Sequence, residues 1–527
     1  MFSKNPGRRS KNQAAKKEKE QLPTRPTGRG WLGRGKGYAT MVQAPVDYRG
    51  TTRQVCGLWP FGVGAGAPLI GVPLGQHIPT KRTVCSDPIA WFQRAGLISN
   101  PSVFIEGLPH RGKSTLVGRM ILGLSGRGVI PLVLGDIKPD HVERIAALGG
   151  QVIKLNDSQG HLNVLDPGES VEAAKRLRES TFATPELAQE ALALAEQIEA
   201  DAITRRSQMV MALITIKRKS PPAEIEETLV EEALRLLDKT HREVPPVLGD
   251  LLKVIQEAPP ELRDVALDRG DIEDYQNTTK NLERSLIGLT RTGAFGRTFA
   301  HQTVNPMRRD RPVVYDISAI PTSSNDLRAA ALLACWSNGF ASVNIAHALA
   351  DVGLEPRRHY FIVMDELWQA LRAGHGMVDR MDALTRLNRT YGVGQAMITH
   401  TMKDLLALPN KEDQEKALGY VERAGMVMLG ALPRSEMKLL TESIPLSQRE
   451  QDMLVSWSAP PAYNKNNNQK SKAPGLGKFL IKIGGRPGIP FDMKLTGIEA
   501  KLGDTNALWT EKSQIGSSDV EEGEIAS

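Results

Sequence analysis

Cysteine is scarce in this chain: Cys56, Cys85 and Cys335 are the only three among 527 residues. Three thiols cannot staple a polypeptide of that length, and none has metal-ligand spacing, so a reducing compartment is expected and a structural zinc is not. An apolar leader is missing as well, because the basic start runs on into NQAAKKEKEQLP rather than into a hydrophobic stretch. Long uncharged runs are few. The segment Gln54 to Gln76 carries no charge, but CGLWPFGVGAGAPLIGVPLG within it holds three prolines and six glycines, which favour turns over a spanning helix. A second run, AALLACWSNGFASVNIAHALA at 330–350, is broken by Ser, Asn and His and reads as a buried helix. No fixed period repeats along the chain, which argues against a solenoid or propeller.

What is present suffices for a large core: 40% of the residues are hydrophobic and 24% charged, which excludes wholesale disorder. The length suits roughly three domains. Formal net charge is +7, unevenly spread: residues 1–40 hold eleven Lys/Arg against two Glu, so they carry +9 and everything after them −2. The body is nearly neutral and the basicity is a tail.

The chain divides by composition. Residues 1–40 read as a disordered basic tail, and 41–100 as a small β-rich lead-in of Gly-Pro turns and short apolar runs. From 101 short apolar runs alternate with helices, the pattern of an α/β domain with a mainly parallel sheet. The strands expected are SVFIE (102–106), VIPLVLGD (129–136), QVIKL (151–155), RPVVYDIS (311–318), HYFIVMDE (359–366), QAMITH (395–400) and GMVMLG (425–430). The core thus occupies 101–167 and 293–510. Between these, 168–292 is rich in Glu, Ala, Leu, Arg and Lys at helical spacing and reads as an inserted all-helical subdomain. After a polar low-complexity loop at 459–475, KFLIKIGGRPGIPFDMKL predicts a closing β-hairpin, and 511–527 forms an acidic tail.

The most informative stretch is SVFIEGLPHRGKSTL. A strand runs into Gly107-Leu-Pro-His-Arg-Gly112-Lys113-Ser114, which matches GxxxxGK[ST], and Thr115 continues into a helix. In such a loop the backbone N–H groups and the helix N-terminus converge on phosphate oxygens. Lys113 reaches the β- and γ-phosphates, and the Ser114 hydroxyl ligates Mg²⁺, so ATP and Mg²⁺ are the expected cofactors. His110 stands where these loops often carry another glycine. An NTPase also needs an acidic residue ending a neighbouring apolar strand, and HYFIVMDEL supplies Asp365 for Mg²⁺ and Glu366 to deprotonate the attacking water. Taken alone, the pair also suits a helix cap. In LTRLNRTYGVGQAMITH, Arg386 and Arg389 suit either a solvated helix face or a cation that meets the γ-phosphate of a neighbouring subunit. His400, at the end of the strand, is either a γ-phosphate sensor or a polar strand end.

The order of these blocks resembles the conjugative-transfer and type IV secretion ATPases of the HerA–FtsK superfamily, especially the pilus-assembly branch. The matching series is the P-loop, VLGDIKPDH with Asp136, GGQVIKLNDSQGHLNVLDP, a helical insertion, RPVVYDISAI, FIVMDELW, RLNRTYGVGQAMITH, RAGMVMLGALPRSEMKLL and the closing hairpin, over roughly 65–510. The resemblance implies a RecA-like P-loop core in which Lys113 and Ser114 bind nucleotide and magnesium and Asp365-Glu366 form the acidic pair. It places Arg389 at the family's arginine finger, eleven residues before the sensor. That sensor is usually Gln in a Thr-Gln pair, whereas His400 stands here. The Asn163–Asp166 segment matches a block with no derivable chemistry. Relatives of this branch commonly carry a sizeable N-terminal docking domain; about a hundred residues precede the P-loop here, which leaves docking to another surface, or to the basic tail and a separate subunit.

The expected protein is thus a cytoplasmic oligomeric ATPase, a hexamer by resemblance, at the inner face of a bacterial membrane. It would power conjugative transfer or type IV secretion with other machinery subunits, its basic tail drawn to DNA or to an anionic membrane surface. A DNA-pumping translocase or coupling protein of the same superfamily is the near alternative. A non-catalytic nucleotide-gated scaffold is an alternative of another class, opposed by the intact Lys113 and Glu366.

Overall fold

The seven expected core strands form where their apolar runs lie, because a strand buried on both faces needs an unbroken apolar run. In the computed structural model they are β3 (Ser102–Glu106), β4 (Val129–Asp136), β5 (Gln151–Lys154), β6 (Val313–Asp316), β7 (His359–Met364), β8 (Val393–Thr399) and β9 (Met426–Leu429). All seven are parallel, in the order β9-β3-β8-β7-β4-β6-β5. The structure describes residues 68–155, 160–291, 293–372, 377–379, 392–408, 410–461 and 472–502. These lie in one compact unit, Gly64–Ser527; the other unit, Met1–Val63, falls outside the described residues with the basic tail, as does the acidic tail.

The expected hairpin forms as β10 (Lys478–Lys482) and β11 (Ile489–Asp492) and extends the sheet antiparallel to β9. The described part of the lead-in joins this sheet: β1 (Pro73–His77) and β2 (Thr83–Cys85) continue it past β11, giving eleven strands among the described residues. The reason is the free edge of β11, whose unpaired backbone groups β1 takes up antiparallel. The lead-in then ends in a helix, Pro88–Gln93, capped by Asp87 through the Ala90 N–H at 2.7 Å.

Alternating side chains fill two cores. Val103 and Ile105 of β3 pack with Leu116, Val117 and Met120 of the helix Lys113–Ser125 on one face, while Phe104 faces the other core with Leu132, Leu134 and Trp336. Gly135, within β4, has φ +121, and a Cβ there would stand 2.4 Å from Leu332, so helix and strand meet at a distance only glycine permits.

Every regular element of the insertion among its described residues is a helix, from Ser170–Glu179 through the 34-residue helix Pro185–Arg218 to Ile272–Thr290. Thr184 caps the long helix and Pro185 opens it. Arg206 grips the Asp238 carboxylate with two hydrogen bonds, 2.7 and 2.5 Å, and fastens that helix to the next, Glu224–Thr240. The apolar run at 330–350 lies in the helix Asn325–Asp351, long and apolar enough to cross a membrane but sandwiched between the sheet and the long helix. That position explains why it is apolar all round. Asn163 gives its block a structural role. The buried amide donates to Pro246 O at 2.9 Å and accepts from Leu165 N at 3.0 Å, which ties the sheet to the helical subdomain.

Candidate functional site

The site lies where parallel strands deliver their C-terminal ends, the usual place for a ligand in an open α/β sheet. β3 hands the chain to residues 107–112, and Gly112, at φ +98, turns it into the helix that Lys113 opens. The loop is pinned by neighbours distant in sequence: Leu108 N donates to Ala431 O at 2.9 Å and Gly477 N to Arg111 O at 3.1 Å. His110 adopts φ +58, the left-handed conformation that glycine takes at least cost, and histidine tolerates it better than most side chains. The loop therefore closes with His110 in place.

β7 ends at Met364 and presents Asp365 and Glu366. Glu366 also has a left-handed backbone, φ +52, held by its own N–H donating to Asp365 Oδ1 at 2.8 Å. A non-glycine residue kept in that region costs of order 1–3 kcal/mol, and such strain clusters where a side chain must be aimed. Here it aims the Glu366 carboxylate at two donors, the Trp368 indole N–H and His400 Nε2, the latter at 3.1 Å.

His400 joins the two halves of the site. Its Nδ1 lies 2.9 Å from Lys113 Nζ. An ammonium only donates, so Nδ1 is the acceptor, the ring proton sits on Nε2, and that N–H donates to Glu366. Lys113 also donates to Gly107 O at 2.5 Å and Leu108 O at 3.3 Å. Residues 287 positions apart in sequence thus form one chain from the loop lysine to the acidic pair.

Burial sets the electrostatics. It pushes the Lys113 ammonium down to about 8, against the pull of Asp365 and Glu366. It raises the Asp365 carboxyl to about 6, helped by the Glu366 charge. Burial opposes ionisation of Glu366 too, but the His400 and Trp368 hydrogen bonds win and hold it below the usual carboxylate range. Glu106, the last residue of β3, is fully buried and neither oxygen makes a well-formed hydrogen bond. Burial, with the Glu436 charge, raises it to about 8, which favours the protonated acid beside the P-loop.

One cavity of about 340 Å³ gathers these groups: Gly112, Lys113, Ser114, Thr115, Asp365, Glu366 and His400 all line it. Gly107 is turned to its loop backbone instead, where its carbonyl holds Lys113. Arg386 and Arg389 lie outside the described residues. The cavity also takes in Lys138, Asp140 and Arg144, which sequence reasoning missed although GDIKPDH contains two of them. Asp136 shapes that loop: its buried carboxyl accepts from His141 N at 2.7 Å, and burial raises it well above the ordinary range. A hydroxyl (Ser114) and a carboxylate (Asp365) on one cavity form the oxygen donor set that suits Mg²⁺.

A glycine loop at the C-terminal end of a central parallel strand, with an acidic pair ending a neighbouring one, defines the RecA-like P-loop ATPase fold that the sequence implied. VirB4 of Thermoanaerobacter pseudethanolicus shares it: the superposition has a TM-score of 0.55 at 18% identity and covers 84% of this chain and 100% of that one. The plasmid coupling protein TrwB, solved with the ATP analogue ADPNP, aligns at a TM-score of 0.43 and 13% identity over 76% of this chain and 87% of its own. No family model and no curated protein matches the sequence.

Proposed function

We propose that this chain is an oligomeric ATPase motor that hydrolyses ATP to power conjugative DNA transfer or type IV secretion. The observation that carries the reading is the Lys113–His400–Glu366 chain lining one cavity with Ser114 and Asp365. The RecA-like fold shared with VirB4 of Thermoanaerobacter pseudethanolicus, together with the order of the sequence motifs, supports the reading. In this reading the loop N–H groups and Lys113 hold the triphosphate. Ser114 and Asp365 hold Mg²⁺, which when bound neutralises charge on the β- and γ-phosphates. Glu366 accepts the proton of the attacking water, and its depressed pKa keeps it ionised for that task. His400 passes the state of Lys113 to Glu366, because the same ring touches both.

A ring with one donor and one acceptor can be mimicked by an amide. His400→Gln is therefore expected to keep most turnover, and His400→Ala to lose about tenfold or more in kcat. Steady-state ATPase rates check this; equal activity of the two variants would remove His400 from the mechanism.

Arg389 is assigned to the neighbouring subunit's site, which makes the active protein an oligomer, a hexamer by family resemblance. Hydrolysis measured across size-separated species, with and without DNA, tests the function: turnover should follow the oligomer. Strong stimulation by DNA would favour the translocase, and no hydrolysis at any size would overturn the motor.

The +9 tail is assigned to an anionic surface, placing the motor at the inner face of a cell membrane beside other machinery subunits. Deleting residues 1–40 is expected to leave basal ATPase activity intact and to abolish the salt-sensitive part of binding to DNA or anionic vesicles. Lys and Arg near such a membrane contribute about 1 kcal/mol each. Vesicle sedimentation and DNA mobility at low salt provide the readout; unchanged binding to both would end this role for the tail.

A further inference from the structure

Beneath the phosphate loop lies a buried polar pair with no part in the hydrolysis described above. Phe104 and Met397 are in register on β3 and β8, and both face the core that also holds Met402 and Leu429. Strand side chains two residues on point the same way, so Glu106 and Thr399, also in register, share that face. Both are fully buried. Neither Glu106 oxygen nor the Thr399 hydroxyl makes a well-formed hydrogen bond. A buried polar atom left unpaired is costly, and three of them side by side on adjacent strands call for one explanation.

Their places along the chain tie the pair to the site. Glu106 immediately precedes Gly107, whose carbonyl holds Lys113. Thr399 immediately precedes His400, which touches both Lys113 and Glu366. Past His400 the chain turns at Thr401 into the helix Met402–Leu406, and the Met402 N–H comes close enough to the Glu106 carboxyl to favour its charged form. One carboxyl therefore faces the chain on both sides of His400. Its charged neighbours are Glu436, Lys113 and Asp404. Glu436 is held by Lys403 Nζ at 3.1 Å, and Asp404 by the Thr401 hydroxyl at 2.9 Å. Burial first, then the Glu436 charge, raise the Glu106 pKa, and the Met402 N–H and Lys113 do not offset them. A protonated carboxyl carries one O–H donor and one carbonyl acceptor, which suit the Thr399 oxygen and the Met402 N–H.

We propose that Glu106 is a positioning residue for hydrolysis: its carboxyl donates to the Thr399 hydroxyl and accepts from the Met402 N–H, clamping the turn that carries His400 to the strand that carries the P-loop. The assignment rests on the nucleotide reading above. Neighbouring strands lie about 4.8 Å apart, a gap that a glutamate side chain spans. The clamp acts on His400 and not on ATP. It fixes the distance from the imidazole to Lys113 and the direction of Nε2 toward Glu366. Burial alone would favour an apolar residue of similar size, such as leucine, at position 106.

Steady-state ATPase kinetics and thermal unfolding of the full-length protein test this in Glu106→Gln, Glu106→Leu, Thr399→Val and the double variant Glu106→Leu/Thr399→Val. The glutamine amide donates and accepts as the protonated carboxyl does, so Glu106→Gln should keep kcat within about threefold. Glu106→Leu and Thr399→Val should each lose about tenfold in kcat with KM nearly unchanged. The double variant should lose no more than either alone, because all three break one contact. Glu106→Leu removes a buried polar group and should melt no lower than the wild type; turnover that falls only as stability falls would mark a structural role and overturn the clamp. Linkage supplies a readout independent of ATP. The proton that Glu106 keeps in the fold stabilises it below about pH 4.5, and that stabilisation is lost as the pH rises through about 8. The melting temperature of Glu106→Gln should therefore gain on that of the wild type between pH 5 and pH 8. Full turnover by Glu106→Leu would overturn the clamp, as would equal losses in Glu106→Gln and Glu106→Leu or additive losses in the double variant. A melting difference that stays constant over that pH range would overturn the protonated contact. Failure of the wild type to hydrolyse ATP would instead remove the nucleotide reading and the positioning role with it, while the pH series still decides the contact.

Discussion

Glu366→Gln is expected to bind ATP and fail to turn it over, with kcat falling by roughly 10³-fold, within the range for loss of a general base. The amide cannot take a proton from water, and the groups that hold the triphosphate are left in place. There is a further consequence of the local geometry. Both oxygens of the Glu366 carboxylate accept hydrogen bonds, one from His400 and one from the Trp368 indole. Glutamine has a single acceptor oxygen and can satisfy only one of them. His400 is therefore expected to be less well held in the variant, so the effect includes weakened communication with Lys113. Equilibrium ATP binding together with single-turnover hydrolysis separates binding from chemistry. Hydrolysis within tenfold of the wild type would remove Glu366 as the base.

Arg389→Ala is expected to lose about 10³-fold or more in kcat while retaining ATP affinity, as for removal of an arginine finger. If the arginine acts across a subunit boundary, mixing two inactive proteins restores activity. An oligomer assembled from Arg389→Ala and Glu366→Gln subunits contains interfaces that pair an intact Glu366 with an intact Arg389. Turnover measured against mixing ratio should pass through a maximum. Stably mixed oligomers that remain inactive at every ratio would count against action in trans.

The parallel core was legible because its strands are buried on both faces and therefore read as short unbroken apolar runs. VIPLVLGD was expected at 129–136 and forms β4 over Val129–Asp136. The helical insertion was legible from its 3.6-residue periodicity, and the phosphate loop because its two glycines, lysine and hydroxyl all fall within residues 107–114. Each of these signals is local, since the physical cause and the residues that report it lie within one element.

Other features had no local signature. Nothing in residues 73–85 tells that β1 and β2 will complete the edge of the main sheet; that depends on the free edge of β11, some four hundred residues later. His400 could be recognised as the end of a strand, but its place between Lys113 and Glu366 follows from β8 lying between β3 and β7. Glu106 looked like the last residue of an apolar strand, and only burial by neighbouring chain segments raises its carboxyl above the ordinary range. The sequence by itself thus determined which residues can do phosphate chemistry, because that chemistry needs particular side chains at short spacing. The tertiary structure alone decided which of them meet, because hydrogen bonds and apolar contacts act over a few ångströms and only the sheet order brings distant strand ends that close.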